Sequence, residues 1–279
     1  MTLEFSKYEG LGNDFLVVEV AHVAALGPGE AKRLCDRHLG VGGDGVLLLA
    51  PGETPGSAGR MVVLNADGSR PEMCGNGVRC VALHLARAAD VTSGVFRVDT
   101  DAGVKECAVE RVADAALVSV WMGRGSALGK HSAQLGSDRV VFEKISMGNP
   151  HAVVFGREYP DVCLDQYGAQ VSAELPGGSN VEFARLVTPQ HIELVVWERG
   201  VGRTQACGTG ACATAVAAVL AGLSPYSKAI SVDLPGGRLE VEVAPETLEV
   251  TMRGPARLVF SGRLAAGAGG AGAGQIEHR

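Results

Sequence analysis

The chain has 279 residues, of which 46% are hydrophobic and 20% are charged, and this composition excludes an intrinsically disordered protein. Its net charge of −6 excludes the basic surface with which proteins bind nucleic acid or anionic membranes. The first ten residues lack a secretion signal, and the longest apolar run, 211–223, is shorter than the roughly 18 residues that span a bilayer. We therefore expect a soluble, cytoplasmic protein of two domains that binds neither nucleic acid nor membranes.

The first half of the chain is predicted to consist of strands around one main helix. Gly-rich turns and apolar runs predict strands at 3–10, 10–20, 45–50, 60–69, 94–100, 104–110 and 116–122. A short amphipathic helix is predicted at 29–40, where Gly40 ends it. From Asn76 to Asp90 apolar residues recur at helical spacing, which predicts a second helix with a buried face.

The second half repeats this order. Strands are predicted at 151–156, 180–187 and 191–200, and two hairpins with a closing strand at 231–262. Residues 209–222 are almost all Ala, Val, Leu and Cys, which predicts a helix that is buried on every side. The polar, Gly-rich stretch 122–139 is predicted to be an interdomain linker, and the low-complexity tail 265–279 is predicted to be disordered.

One motif occurs in each half, at the start of each predicted central helix. Residues 70–77 and 203–210 both read R-x-[EQ]-x-C-G-x-G, and their cysteines, Cys74 and Cys207, are 207 − 74 = 133 positions apart. We interpret this as an internal duplication and predict an α+β fold of two similar domains. The predicted domains are 1–122, completed by the closing strand near 255–264, and 123–254.

A cysteine at the N-terminus of a helix has a particular electrostatic environment. The free N–H groups and the positive end of the helix dipole stabilise a thiolate, and they also bind a carboxylate. Two such cysteines facing each other across a cleft would suit the inversion of a stereocentre, which needs a base on one face of the carbon and an acid on the other. Neither a dinucleotide fingerprint nor a phosphate-binding loop lies between a strand and a helix, so we expect a reaction without cofactor or metal.

The other five cysteines are predicted to be structural. Seven cysteines, an odd number, without a secretory context indicate reduced thiols rather than a disulfide framework. Buried cysteine usually behaves as a small hydrophobic residue. We therefore expect Cys35, Cys80, Cys107, Cys163 and Cys212 to pack in the core.

A series of short motifs gives the chain a specific resemblance. In chain order they are GLGNDF, DRHLGVGGDG, NADGS, MCGNGVRC, MGNPH, NVEF, WERG and ACGTGACA. In this combination and order the sequence resembles the diaminopimelate epimerase family. The resemblance implies two similar α+β domains, each a mixed β-sheet wrapped around a central helix, which close over the ligand. It also implies a cofactor-independent, homodimeric epimerase that interconverts LL- and meso-diaminopimelate in lysine and peptidoglycan precursor biosynthesis.

The resemblance also implies roles for individual residues. Cys74 and Cys207 are implied to be the acid/base pair. Residues implied to bind the substrate are Asn13, Asn65, Gly75, Asn76, Asn149, Asn180, Glu198, Arg199, Gly208 and Thr209. His151 and Glu198 are implied to tune the pKa values of the two thiols.

Two other functions fit parts of this pattern. A proline racemase or hydroxyproline epimerase also uses two thiols, but such enzymes typically carry histidine where this chain has Asn76, and their substrates lack a distal amino-acid group. A thiol redox or metal-binding protein would use the four sulfurs of Cys74, Cys80, Cys207 and Cys212. Neither spacing matches the Cys-x2-Cys of common zinc and redox sites. Activity on proline alone would favour the first alternative, and stoichiometric zinc would favour the second.

Overall fold

The computed structural model describes residues 3–156 and 161–264. Within these ranges the chain forms sixteen strands and four helices. The strands are β1 (Leu3–Gly10), β2 (Asn13–Glu19), β3 (Gly45–Ala50), β4 (Gly59–Asn65), β5 (Ser93–Thr100), β6 (Gly103–Val112), β7 (Ala115–Arg124), β8 (Ser126–Leu135), β9 (Asp138–Ser146), β10 (Pro150–Phe155), β11 (Asn180–Thr188), β12 (His191–Glu198), β13 (Gly202–Arg203), β14 (Ile230–Leu234), β15 (Gly237–Val243) and β16 (Glu249–Leu264). The helices are α1 (Pro28–Cys35), α2 (Gly75–Ala88), α3 (Asp161–Glu174) and α4 (Gly208–Leu220). Among these four helices, none is long and apolar enough to cross a bilayer.

The first seven strands and the long last strand wrap around α2. Their order is β1-β2-β3-β4-β5-β6-β7-β16, and β16 pairs back to β1, so this part of the sheet closes on itself. The pairs β2/β3 and β4/β5 are parallel and the other neighbours are antiparallel, which makes the sheet mixed. Helix α2 lies inside the closed sheet, where all of residues 75–83 are buried.

The remaining strands surround α4. From β16 the sheet continues in the order β15-β14-β12-β11-β10-β9-β8, with β13 paired to β12. The pairs β10/β11 and β12/β14 are parallel, so this part is mixed as well. Residues 210–219 of α4 are all buried, which follows from their nearly uniform apolar composition.

Strand β16 belongs to both halves. Residues 250–253 pair with β15, residues 249–257 with β7, and residues 257–264 with β1. One hydrophobic core therefore includes residues of both α2 and α4. The predicted fold class, an α+β fold of two similar parts with a mixed sheet around each central helix, is confirmed. The domain boundaries at 122 and 254 stay a prediction.

Two predictions of local structure are wrong. The stretch 122–139 is not a linker, because it contains the end of β7, all of β8 and the start of β9. Strand β8 lies at the end of the strand order, and residues 126–130 are exposed, so polar residues and glycine are compatible with an edge strand there. The sequence analysis also missed α3, which packs against β11 and β12. The predicted disordered tail lies outside the described residues.

The structural cysteines are mostly placed as predicted. Cys35, Cys80, Cys107 and Cys212 are buried in the core. Cys163, on the unpredicted helix α3, is only half-buried, so the prediction of a core position is wrong for this residue.

Candidate active site

Each predicted catalytic cysteine caps the N-terminus of a central helix. Cys74 precedes α2 in an extended conformation, and its sulfur accepts a hydrogen bond from the backbone N–H of Gly77, 3.3 Å away. Cys207 precedes α4 in a similar conformation and accepts from the N–H of Gly210, also at 3.3 Å. A side chain that accepts from the third residue of a helix satisfies one of its free N–H groups. The duplicated motif therefore builds the same cap twice, with sulfur as the acceptor.

The two helix N-termini meet at a pair of glycines. A Cβ built on Gly75 would lie 3.5 Å from the Cα of Gly208, and one built on Gly208 would lie 3.4 Å from the Cα of Gly75. Met252 of β16 packs against both positions, 3.3 Å from the first Cβ and 3.1 Å from the second. A Cβ at either position would already touch the backbone of the other helix and would displace Met252, so glycine leaves room for the close approach. The positive ends of both helix dipoles converge as a result.

A cavity of about 630 Å³ opens at this junction and is lined by residues of both halves. Nine predicted site residues line it, namely Asn13, Asn65, Cys74, Gly75, Asn76, Glu198, Cys207, Gly208 and Thr209. Polar lining residues that the sequence analysis did not predict are Asp44, Asp67, Arg203, Thr204 and Gln205. The structure thus brings both cysteines and most predicted substrate contacts to one cleft.

The other four predicted residues form hydrogen bonds beside this cleft. Nε2 of His151 lies 3.0 Å from Oδ1 of Asn149. Oδ1 of Asn180 accepts from the backbone N–H of Arg199 at 2.9 Å. The guanidinium of Arg199 donates to the carbonyl of Gly177 at 2.8 Å. Within the described residues, these four side chains contact protein groups and are not part of the cavity lining.

Glu182 belongs to the same group, and the sequence analysis missed it. Its Oε1 lies 2.6 Å from Nδ1 of His151, and both side chains are completely buried. A Cβ built on Gly210 would lie 3.0 Å from this oxygen, so the carboxyl group lies beside the first turn of α4, next to the Cys207 cap. Its Oε2 is buried without a hydrogen bond to the described residues. The available signal was one charged residue between Val181 and Phe183 in the buried start of β11, which is unusual for a buried strand.

The two thiols differ in their electrostatic surroundings. Burial raises the pKa of Cys74 to about 11, and the hydrogen bond from Gly77 opposes this rise. Burial also raises the pKa of Cys207 well above its ordinary value, and the carboxylates of Glu198 and Glu182 raise it further. The pKa values of both thiols are therefore raised, with more negative charge around Cys207.

The carboxyl groups near Cys207 hold their protons more tightly than usual. Burial raises the pKa of Glu198, against a 2.5 Å hydrogen bond from Thr204 and the nearby charge of His151. Burial likewise raises the pKa of Glu182, while the adjacent His151 lowers it. His151 therefore lowers the pKa of both carboxyl groups, and both carboxylates raise the pKa of Cys207.

The second cysteine of each motif lies in the core. Cys80 in α2 and Cys212 in α4 are completely buried. Within residues 3–156 and 161–264, no group of three or more His, Cys, Asp or Glu side chains is arranged to hold a metal ion. The second cysteines therefore serve the packing of the two helices.

Comparison of the sequence with known proteins identifies close relatives. A family model described as Diaminopimelate epimerase matches residues 5–128 and 144–259. The diaminopimelate epimerase of Desulforudis audaxviator is 42% identical, over 94% of this chain and 99% of its own. That of Rippkaea orientalis is 37% identical, again over 94% of this chain and 99% of its own.

Solved structures of more distant proteins share the fold. A probable proline racemase from Agrobacterium radiobacter superimposes with a TM-score of 0.73 at 14% identity, covering 95% of this chain and 93% of its own. A hydroxyproline epimerase from Agrobacterium vitis gives a TM-score of 0.71 at 13% identity, with the same two coverages. At these identities the likeness shows the fold alone.

Proposed function

We propose that this chain, which belongs to the diaminopimelate epimerase family, inverts the α-carbon of its substrate with two cysteines, Cys74 and Cys207. Membership of the family makes it an isomerase that interconverts LL- and meso-diaminopimelate. The observation that supports the two-cysteine mechanism best is the pair of caps. Two helix N-termini meet at Gly75 and Gly208, and one sulfur lies beside each.

The helix junction offers a site for the α-carboxylate of the substrate. The first turns of α2 and α4 begin with Gly75, Asn76, Gly208 and Thr209, whose N–H groups have no partner within their own helix. In our proposal these groups and the two helix dipoles hold the carboxylate between them. They also stabilise the negative charge that develops on the substrate when the α-proton leaves.

The proton transfers then occur on opposite faces of the α-carbon. One cysteine, as a thiolate, takes the α-proton, and the electrons of the broken C–H bond remain on the substrate beside its carboxylate. The other cysteine, as a thiol, donates its proton to the opposite face, which inverts the centre. In the reverse reaction the two cysteines exchange roles. No cofactor takes part in this scheme.

The remaining predicted residues recognise the distal amino-acid end of the substrate in this proposal. Asn13 and Asn65 already line the cavity. Arg199 binds the carbonyl of Gly177 in this structure, so contact with a substrate carboxylate requires its guanidinium to exchange that partner. Asn180 accepts a hydrogen bond from the backbone of Arg199, Asn149 lies within hydrogen-bonding distance of His151, and in our proposal both asparagines complete this part of the site.

His151 and Glu198 tune the two thiols in our proposal. Glu198 lines the cavity and its carboxylate raises the pKa of Cys207. The side chain of His151 is buried and forms a hydrogen bond with the carboxyl group of Glu182. A proton on this group of side chains therefore changes the charge that Cys207 experiences.

We also infer the setting in which the enzyme acts. It is a cytoplasmic enzyme of lysine and peptidoglycan precursor biosynthesis, which acts on a small molecule and forms a homodimer. The side chains of Val259 and Phe260 on β16 are exposed beside β1, and they supply apolar surface for such a dimer. Light scattering of the purified protein tests the dimer, and a monomer at micromolar concentration would contradict it.

The decisive experiment is solvent deuterium incorporation at the α-carbon of LL-diaminopimelate, with L-proline in parallel. We expect exchange with inversion on diaminopimelate alone. Exchange on proline alone would keep the two-thiol mechanism but replace the substrate by that of a proline racemase. Exchange on neither substrate would contradict both parts of the proposal.

A further inference from the structure

Arg79 is a buried cation that makes no ion pair with the described residues. Its side chain, on α2, is completely buried and is the largest such side chain in the part of the chain that the structure describes. The ionisable groups that act on it are the thiols of Cys74, Cys80, Cys107 and Cys212. A buried charge costs free energy unless hydrogen bonds or an opposite charge compensate it. The hydrogen bonds of Arg79 must therefore compensate the cost of burying its charge.

The guanidinium connects the first turn of α2 to strand β16. Its Nε donates to the carbonyl of Pro255 at 3.1 Å. Its Nη1 donates to the carbonyl of Gly75 at 3.2 Å, and its Nη2 donates to Oδ1 of Asn76 at 2.9 Å. Three donors of one rigid group thus hold the two residues that follow Cys74 against the strand shared by both halves.

Arg79 also decides which way the amide of Asn76 points. A guanidinium can only donate hydrogen bonds, so the amide oxygen must face it and the amide nitrogen must point away. That nitrogen donates to the backbone carbonyl of Ala206 at 3.2 Å and to Oδ1 of Asn13 at 3.2 Å. Ala206 immediately precedes Cys207. A hydrogen-bonded path therefore runs from Arg79 to the residue before the second cysteine.

The same path orients Asn13. Because its Oδ1 accepts from Asn76, its Nδ2 points to Asp44 and donates to Oδ2 at 2.6 Å. The carboxylate of Asp44 also accepts from Arg37 at 2.8 Å. A group that only donates, at one end, and a carboxylate that only accepts, at the other, fix the direction of every bond between them.

We propose that Arg79 is a positioning residue whose fork of donors sets the separation and orientation of the two cysteine caps. It lies away from the cavity lining and acts through Asn76, which joins the first turn of α2 to the backbone before Cys207. The effect on turnover rests on the proposed function. The effect on the approach of the two sulfurs does not, because it can be measured without substrate.

Two variants and one control separate the hydrogen bonds of Arg79 from its charge. Arg79→Met keeps a long unbranched side chain but removes all donors, so the oxygens of Pro255, Gly75 and Asn76 lose this partner. Arg79→Lys keeps the charge but loses the planar fork. Arg87→Met is the control, because Arg87 lies in the last turn of the same helix and pairs with Asp114.

The first measurement is the rate at which diamide joins Cys74 to Cys207, followed by peptide mass spectrometry at equal protein concentration. Formation of a disulfide requires the two sulfurs to approach within a narrow range of distance and angle. We expect both Arg79 variants to form this disulfide at least about tenfold more slowly, and Arg87→Met to match the parent within about twofold. Circular dichroism and the melting temperature establish that each variant is folded.

The second measurement is steady-state epimerisation of LL-diaminopimelate. We expect kcat of both Arg79 variants to fall about 100-fold, the loss typical of a misplacement near 1 Å, with KM changed less than about threefold. General destabilisation also lowers the apparent kcat at unchanged KM, because it lowers the active fraction, so kcat is expressed per folded molecule, with the folded fraction measured by circular dichroism. If Arg79→Met fails to fold, Arg79→Lys decides alone.

The outcomes distinguish this inference from the proposed function. Disulfide formation and kcat at parent values in Arg79→Lys would overturn the positioning role, because charge without the fork would then suffice. Slow disulfide formation in both variants of a protein that lacks epimerase activity would support positioning and refute the function. An active parent enzyme with unchanged disulfide formation in both variants would refute positioning and leave the function intact.

Discussion

The N-terminal ends of α2 and α4 have the same cap geometry but different surroundings. At both ends a cysteine sulfur accepts the third N–H of the helix at 3.3 Å. Burial and the carboxylate of Glu198 raise the pKa of both thiols; Arg79 opposes this rise at Cys74, whereas Glu182 adds to it at Cys207. The duplicated motif determines the geometry, and residues outside the motif determine the charge.

The two sulfurs therefore have the same hydrogen-bond geometry but different charges around them. A cap depends on a few consecutive residues, so a repeated motif reproduces it. The charge at a buried sulfur depends on every ionisable group packed around it: Glu198 acts on both thiols, whereas Arg79 acts on Cys74 and Glu182 acts on Cys207. We therefore expect Cys74 to ionise at lower pH than Cys207, although the proposed mechanism uses both thiols as one acid/base pair.

The strongest way to break this pair is to remove either sulfur. We expect Cys74→Ala and Cys207→Ala each to lower the rate of epimerisation by a factor on the order of 10³ or more, since in the proposed mechanism each removes the proton donor or acceptor on one face. The interconversion of LL- and meso-diaminopimelate, followed by chiral chromatography, measures this. Cys163→Ala, on α3 outside the cleft, is the control and should keep full activity. An alanine variant at either cap with near-normal turnover would refute the two-base assignment.

A smaller effect is expected when a methyl group is added where the two caps meet. A Cβ on Gly208 would lie 3.1 Å from the sulfur of Met252, which must shift, and 3.4 Å from the Cα of Gly75, which is van der Waals contact. We expect Gly208→Ala to lower kcat about 100-fold, because the added methyl group and the displaced Met252 occupy the junction at which the substrate is held between the two sulfurs. Steady-state kinetics measures this loss.

Gly29→Ala is the matched control for that substitution. Gly29 lies in α1, where an added Cβ meets nothing within 4 Å. Kinetics at parent values are expected for this control, with equal or higher thermal stability because alanine favours the helix. If Gly208→Ala also kept the parent kcat, the close approach of the two helices would be irrelevant to the reaction.

The sequence predicted the parts of the site that depend on local pattern. The motif around Cys74 and Cys207 predicted two helix starts, and both cysteines cap helices that begin one residue later. The strands around each helix and the mixed sheet also followed from local apolar patterns and from the resemblance. These features could be predicted because the chemistry that fixes them lies within a few residues of sequence.

Features that depend on contacts between distant segments could not be predicted. Glu182 was missed because its position beneath α4 follows from the parallel pairing of β10 with β11. The orientation of Asn76 follows from Arg79 and from Ala206, 130 positions away along the chain. Strand β8 was taken for a linker because an edge strand needs no apolar face over its exposed residues.

The smallest expected effect concerns the unequal charge at the two caps. Glu182→Gln keeps a hydrogen-bonding side chain beside His151 but removes a negative charge that raises the pKa of Cys207. Without that charge the pKa of Cys207 falls. At a pH below this pKa, each unit by which the pKa falls gives about tenfold more Cys207 thiolate. We expect iodoacetamide to alkylate Cys207 about threefold to tenfold faster at pH 8, as measured by peptide mass spectrometry.

Cys74 in the same sample is the internal control, and its rate of alkylation should stay constant. Equal acceleration at both cysteines would indicate a general opening of the cleft, and no acceleration at Cys207 would show that Glu182 does not control its charge.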